Sequence, residues 1–275
     1  MIVNQQIPKI DFEKQINKIR DKWIPAARKD NTGIGFTLET ELGIRENNYA
    51  KHDFIDTGRF KNTKFELKAQ RVNVYNPTLT NPRKVNDSLI SLVTQAPHGG
   101  MKNSELIKTY GYQDSKGRER KNLYATLRAT RFVNGKNVQN MKITREKNIL
   151  YIIHKDQKLS NYDLTNFVDK LANLIIVRTD SEWKKCDCSD TNVHDETGEY
   201  HEFFNFKDPH IFSKFSLQKF YTCIDEGKLY LDLRMHIPTD LTPTNPKYDV
   251  SHDHGTGFRI KFKNITDIYE NELII

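Results

Sequence analysis

The chain has 275 residues, 36% hydrophobic and 29% charged, enough for one large domain or two lobes and enough to bury a core without covalent staples. A balance of 43 basic against 36 acidic residues leaves a net charge of +7, which favours a polyanionic partner such as nucleic acid without requiring one. No apolar run approaches the roughly 20 residues of a membrane span, and three cysteines in a chain of this length argue against a disulfide framework and fit a reducing cytosol.

The first residues meet charge at once, so no signal peptide is expected. Residues 11–29 are expected to form a helix, because Phe12, Ile16, Ile19, Trp23 and Ile24 recur at helical spacing. The stretch from Asp30 to Gly35 breaks it. A short second helix follows, with Thr37 as its cap, Leu38 and Leu42 on one face and Gly43 at its end. Residues 52–56 and 64–69 read as strands, with turn-type residues from Thr57 to Thr63 between them. Residues 89–94 form a short, mostly apolar run that suits a buried strand. Pro97 to Gly100 interrupts the chain, and residues 124–132 and 142–154 read as strands. Leu164, Phe167, Val168 and Leu171 predict a helix capped by Ser160. An interior strand is expected at 174–177, a polar loop at 185–202, a helix at 217–223, and strands at 228–236 and 257–263. Helices and strands mixed in this way indicate α/β or α+β.

The segment richest in chemistry is Asp53-Phe54-Ile55-Asp56 followed by Phe65-Glu66-Leu67-Lys68. Strand period puts Glu66 and Lys68 on one face and turns Leu67 to the core. Carboxylate oxygens suit Mg²⁺, which binds through one or two of them and keeps several waters. Such an ion stabilises the extra charge of a pentavalent phosphorane and helps to ionise a water, while the lysine can position that water. The bland alternative is that acid-x-Lys triplets are common and mostly form ion pairs on a solvated face.

A second constellation lies further on. Asp232 and Arg234 share a strand face, and Ser251-His252-Asp253-His254-Gly255-Thr256-Gly257-Phe258-Arg259 follows. Arginine can grip guanine O6 and N7 together, aspartate accepts from the cytosine amino group, and histidine can do either, so the set suits G·C pairs read in the major groove. A metal site is a rival reading, although neighbours on a strand face opposite ways and only His252 and His254 could converge. A polar turn with two ordinary histidines is the third. Cys186-x-Cys188, with His194 and His201 downstream, invites a zinc assignment, but structural zinc pairs enclose roughly two to four residues; a polar loop without metal is expected there. Gly33-Ile34-Gly35 is too short for a dinucleotide fingerprint, and neither a phosphate-binding GxxxxGK[ST] loop nor a serine nucleophile elbow occurs.

Taken in order, Asn31-Thr32-Gly33-Ile34-Gly35, Leu38-Glu39, Asp53-Phe54-Ile55-Asp56, Glu66-Leu67-Lys68 and His252-Asp253-His254-Gly255-Thr256-Gly257-Phe258-Arg259-Ile260 resemble the MvaI/BcnI restriction endonucleases, distant relatives of the MutH nicking enzyme. The match runs from about Asp30 to the C-terminus, with residues 97–215 alike only in general layout. The resemblance implies an α/β fold with a PD-(D/E)xK restriction-endonuclease-like core: a mixed sheet flanked by helices, with a catalytic lobe and a DNA-recognition lobe clasping double-stranded DNA. The catalytic lobe is expected mainly at 1–180 and the recognition lobe mainly at 181–275, the two interleaved. It also implies Mg²⁺-dependent hydrolysis, with Mn²⁺ as a substitute, leaving 5′-phosphate and 3′-hydroxyl at a short, G·C-rich, near-palindromic site of the CC-N-GG type. A cytoplasmic monomer with a companion DNA methyltransferase is the expected setting.

Carried over position by position, Asp53 matches the first metal-binding aspartate, Glu66 the second acid, Lys68 the lysine and Glu39 the acid on the helix before the core. Asp232, Arg234, His252, His254 and Arg259 match base-reading positions. Asp53 stands 13 residues before Glu66, a longer gap than in MutH-type relatives, so Asp56, 10 residues before it, is the reserve ligand. Two alternatives remain open: a MutH-like nickase that needs a partner, and a catalytically inactive sequence-specific DNA-binding protein.

Overall fold

A computed structural model describes residues 7–28, 32–44, 52–75, 83–85, 89–134, 138–185, 200–240, 250–253 and 256–275. Cys186, Cys188, His194 and His254 lie outside them. Two compact units emerge. The first comprises residues 1–88, 169–215 and 269–275, the second 89–168 and 216–268. The expected division near residue 180 falls inside the strand Asn173–Lys185, which belongs wholly to the first unit. Among the described residues no helix is long and apolar enough to cross a membrane.

The first unit is an eight-stranded mixed sheet. Its main path runs Lys9–Ile10, Phe54–Asp56, Lys64–Tyr75, Asn173–Lys185, Tyr200–Phe215, Tyr269–Ile274. Lys9–Ile10 lies parallel to Phe54–Asp56, and Lys64–Tyr75 parallel to Asn173–Lys185; the other pairings are antiparallel. The run Leu174 to Val177 is fully buried, as a central strand with both faces covered must be. On one face, Phe65, Leu67, Ile175 and Val177 pack with Phe12 and Ile16 of helix α1 (Phe12–Ile19) and with Ile34 and Leu38 of helix α2 (Gly33–Glu41).

Three sequence expectations change here. Helix α1 stops at Ile19: the Arg20 amide bonds to the Ile16 carbonyl, and Asp21 turns to a left-handed φ of 58°. Trp23–Pro25 then pairs with Phe203, Phe204 and Asn205 as a strand. Thr37 lies inside α2 and does not cap it; its Oγ1 donates to the Gly33 carbonyl and accepts from the Ala27 amide. The 16-residue strand Tyr200–Phe215 replaces the end of the expected loop and continues past it. Its interior Pro209, which has no N–H to offer, sits at a bulge where Asp208 is the unpaired residue.

The second unit holds two sheets. One runs Val133–Asn134, Gln139–Glu146, Ile149–His154, Gln157–Asp163, Gly99–Gly100. The other runs Leu89–Thr94, Gly257–Lys261, Leu229–Pro238, Arg120–Leu127, Tyr112–Gln113, with His252–Asp253 added beside Leu229–Pro238. The expected strand 142–154 is a hairpin, turned at Lys147 with φ 55°. The helix expected after Ser160 is a single 3₁₀ turn, Leu164–Phe167, capped by Asp163. Ser160 instead lies in a strand and donates to the Met101 carbonyl.

Candidate active site

In the first unit the Lys64–Tyr75 strand alternates as its sequence requires, Phe65 and Leu67 to the core and Glu66 and Lys68 to the other side. Its antiparallel neighbour pairs Phe54 with Phe65, so Asp53, one residue before that strand, comes alongside Glu66. Two backbone bonds fix Asp53: its amide donates to the Phe65 carbonyl at 3.0 Å, and its Oδ2 accepts from the Leu67 amide at 2.6 Å. Burial, and then the negative charge of Glu66, push the Asp53 carboxyl pKa above its ordinary value.

Glu66 is 2% exposed. Its Oε1 accepts from Lys68 Nζ at 2.5 Å and lies 3.6 Å from Lys170 Nζ. Its Oε2 is buried and has no hydrogen-bond partner among the described residues. Burial opposes the charge on Lys68, but Glu66 and Asp53, with Glu39 contributing, outweigh it and hold the Lys68 pKa above its usual value. Lys68 is therefore an ammonium at neutral pH. Glu39, on α2, acts on the cluster through this charge. Among the described residues no group of three or more His, Cys, Asp or Glu converges on one point. Two adjacent carboxylates with one unclaimed buried oxygen nevertheless fit a hard divalent cation, since Mg²⁺ commonly takes one or two carboxylates and completes its shell with water and phosphate.

Asp56, the reserve ligand, is otherwise engaged. Its Oδ1 accepts from the Phe12 amide at 3.0 Å and its Oδ2 from the Phe60 amide at 2.7 Å, tying the start of α1 to the hairpin. Two neighbours of Glu66 carried no signal in the sequence. Lys170 arrives from a segment about a hundred residues away, which His52 anchors by donating from Nε2 to the Asp169 carbonyl at 2.8 Å. Tyr269 donates to the Leu171 carbonyl at 2.8 Å, and burial, with Glu66 adding to it, raises its phenol pKa well above the ordinary value.

The second unit carries the other cluster. Along Leu229–Pro238, Leu231, Leu233 and Met235 are buried in the core, while Asp232, Arg234 and His236 share the opposite face. Asp232 is 0% exposed. Its Oδ1 accepts from Thr126 Oγ1 at 2.7 Å; its Oδ2 accepts from Arg234 Nε at 2.7 Å and lies 3.1 Å from Arg259 Nε. The sequence placed Asp232 among the base-reading groups. Both of its oxygens are engaged below the surface, one by Thr126 and the other by the two arginines. His252 pairs in register with His236, their rings 5.1 Å apart and nearly parallel. Asp253 accepts from the Thr256 amide at 2.6 Å and from Asn103 Nδ2 at 3.2 Å.

A mixed sheet with Asp53, Glu66 and Lys68 gathered at the Phe54–Asp56 and Lys64–Tyr75 hairpin is the restriction-endonuclease-like fold. The solved complex of restriction endonuclease MvaI with its cognate DNA substrate shares it, with a TM-score of 0.69 and 22% identity over 96% of each chain. MvaI in the absence of DNA aligns over the whole of both chains at 17% identity and a TM-score of 0.46. The sequence matches the MvaI/BcnI restriction endonuclease family over residues 13–269, and the chain belongs to that family. No curated protein matches it.

Proposed function

We propose that this protein is a type II restriction endonuclease that hydrolyses double-stranded DNA with Mg²⁺, or with Mn²⁺ in its place, at a short G·C-rich site of the CC-N-GG type. In this reading the first unit is the catalytic lobe and the second the recognition lobe. The observation that carries it is the unclaimed, buried Glu66 Oε2 beside Asp53 and Lys68, in a chain of restriction-endonuclease family. The site is built to receive a cation from outside.

Asp53 and Glu66 would hold that cation, which supplies charge neutralisation at the phosphoryl oxygens when bound. The rest falls to the chain's own groups. The Leu67 amide fixes Asp53, and Lys68 fixes Glu66. Glu66 and Asp53 hold the Lys68 pKa above its usual value, so Nζ is a donor that orients the attacking water and offsets charge growing on the phosphate. Glu39 helps to keep Lys68 charged. The water's oxygen bonds to phosphorus as the bond to the 3′-oxygen breaks; the water gives up a proton to solvent and the departing 3′-oxygen takes one up, leaving 5′-phosphate and 3′-hydroxyl ends.

Arg234 and Arg259 read guanines, each bidentate contact contributing about 1–3 kcal/mol of discrimination. Asp232 holds both guanidinium groups in place, and His252 and His254 complete the pattern. The protein acts as a monomer on DNA in the cytoplasm, beside a methyltransferase that protects the same site. Incubating it with plasmid DNA and Mg²⁺ tests the reading. Linear product with sequenced ends at CC-N-GG sites is expected. Open circle alone means a partner-dependent nickase, and unchanged plasmid with specific binding means an inactive DNA-binding protein.

A further inference from the structure

A cavity of about 310 Å³ opens in the second unit, lined by Thr126, Arg128, Arg131, Phe132 and Val133. Thr126 is the residue that donates to Asp232, so the cavity adjoins the arginine cluster. Arg128 lies two residues further along the chain, with its guanidinium 4.6 Å from the centre of the Tyr230 ring. Tyr230 is on the same strand face as Asp232 and Arg234 and is the register partner of Arg259. Across the hairpin, Lys142 Nζ stands 4.6 Å from the centre of the Phe132 ring, and that ring is 36% exposed.

Among the described residues, no carboxylate pairs with Arg128, Arg131 or Lys142. Two of these three cations rest on aromatic rings. A cation–π contact orients a side chain without cancelling its charge. The result is a hollow lined by two arginines, Arg128 held on Tyr230, with Lys142 nearby on Phe132 and with Phe132 and Val133 as an apolar wall.

We propose that this pocket is a second DNA-binding site that grips a backbone phosphate flanking the bases read by Arg234 and Arg259. Arg128 and Arg131 take the phosphate oxygens, and the Phe132 wall packs on the deoxyribose. Such a contact sets the register of the protein on the duplex and carries no sequence information itself. The proposal rests on the restriction-endonuclease reading, which supplies the duplex.

The test is equilibrium binding in Ca²⁺ over a range of salt, with a CC-N-GG duplex and a scrambled duplex, for the full-length wild type and for Arg128→Ala/Arg131→Ala. Each lost phosphate contact should weaken both duplexes by about tenfold and flatten the log–log salt slope by about 1. The ratio of the two affinities should stay within a few-fold of wild type. Arg131→Gln, at an exposed position, should show half of this and guards against loss of the packing on Tyr230. Unchanged affinity and slope in both variants, or a loss confined to the CC-N-GG duplex, overturns the phosphate site and leaves the nuclease reading standing. A wild type that binds neither duplex overturns both.

Discussion

Glu66 and Asp232 occupy matching positions in the two units. Each is a carboxylate on an interior strand, almost wholly buried, with a cation two residues on: Glu66-Leu67-Lys68 in one, Asp232-Leu233-Arg234 in the other. The local ion pair is alike, Lys68 at 2.5 Å and Arg234 at 2.7 Å. The second oxygen separates them. In Asp232 it is taken by Thr126, and Arg259 adds to the first; in Glu66 it has no donor among the described residues. Leaving a buried acceptor unpaired costs roughly 1–3 kcal/mol, a cost a site bears where something from outside completes it. A saturated buried carboxylate works inward, on the geometry of its partners. One motif thus leaves a buried oxygen open in one unit and a saturated carboxylate in the other, and partners distant in sequence decide which.

The largest effects should come from the reactive side. Lys68→Ala is expected to lower cleavage by about a thousandfold or more while duplex binding in Ca²⁺ stays within a few-fold, since in the proposed mechanism Lys68 acts at the scissile phosphate and not on the bases. Single-turnover cleavage and a binding isotherm on the same preparation give both numbers. Full cleavage by this variant would remove the catalytic role proposed for the Glu66 side of the comparison.

Next come the two aspartates of the hairpin. Asp53→Asn should abolish metal-dependent cutting with little change in melting temperature. Asp56→Asn should behave in the opposite way: one of its two bonds to the Phe12 and Phe60 amides is weakened, at a cost of about 1–3 kcal/mol, and the folded fraction still cuts. A dead but normally stable Asp56→Asn beside an active Asp53→Asn would exchange their roles.

On the scaffold side, Arg259→Ala should reduce discrimination between a CC-N-GG duplex and a scrambled one by roughly 5- to 150-fold, the range of one bidentate guanine contact. Equal losses on both duplexes would make Arg259 a backbone clamp.

How much of this was legible in the sequence follows from how local each feature is. The alternation of Phe65-Glu66-Leu67-Lys68, the apolar runs Leu89–Thr94 and Leu174 to Val177, and the shared face of Asp232 and Arg234 need only strand period, and all stand in the fold. Helix α1 ends short of its expected bound because Trp23 and Ile24 satisfy helical spacing equally well while pairing as a strand. Tyr200–Phe215 shows no clear strand period in the sequence, because charged residues and Pro209 interrupt it. Between Asp53 and Asp56 the spacing could not choose; the hydrogen bonds of Asp56 are made with residues 44 positions away and 4 positions away, and only the first reveals its structural task. Lys170 and Tyr269 reach Glu66 through strand order, which no local period encodes. Thr126 and Arg259 reach Asp232 in the same way, from the strands on either side of it.

The smallest effect is also the one that best separates reading from scaffolding. If Asp232 accepted a hydrogen bond from a cytosine amino group, Asp232→Asn would replace that acceptor in part with a donor and penalise one base pair, independently of Arg259. If it holds the arginines, its loss acts through them. Asp232→Asn alone should then weaken specific binding by less than Arg259→Ala does, since the amide oxygen can still accept from one guanidinium. The double variant should cost less than the sum of the two singles, with a coupling of about 0.5–3 kcal/mol, as expected for groups in one hydrogen-bonded network. A double-mutant cycle on CC-N-GG binding in Ca²⁺ measures that term, and Arg234→Ala in place of Arg259→Ala should repeat it. Additive costs in both cycles, with the Asp232→Asn penalty confined to a single base pair, would return Asp232 to the surface of the recognition face and end its likeness in position but contrast in use to Glu66.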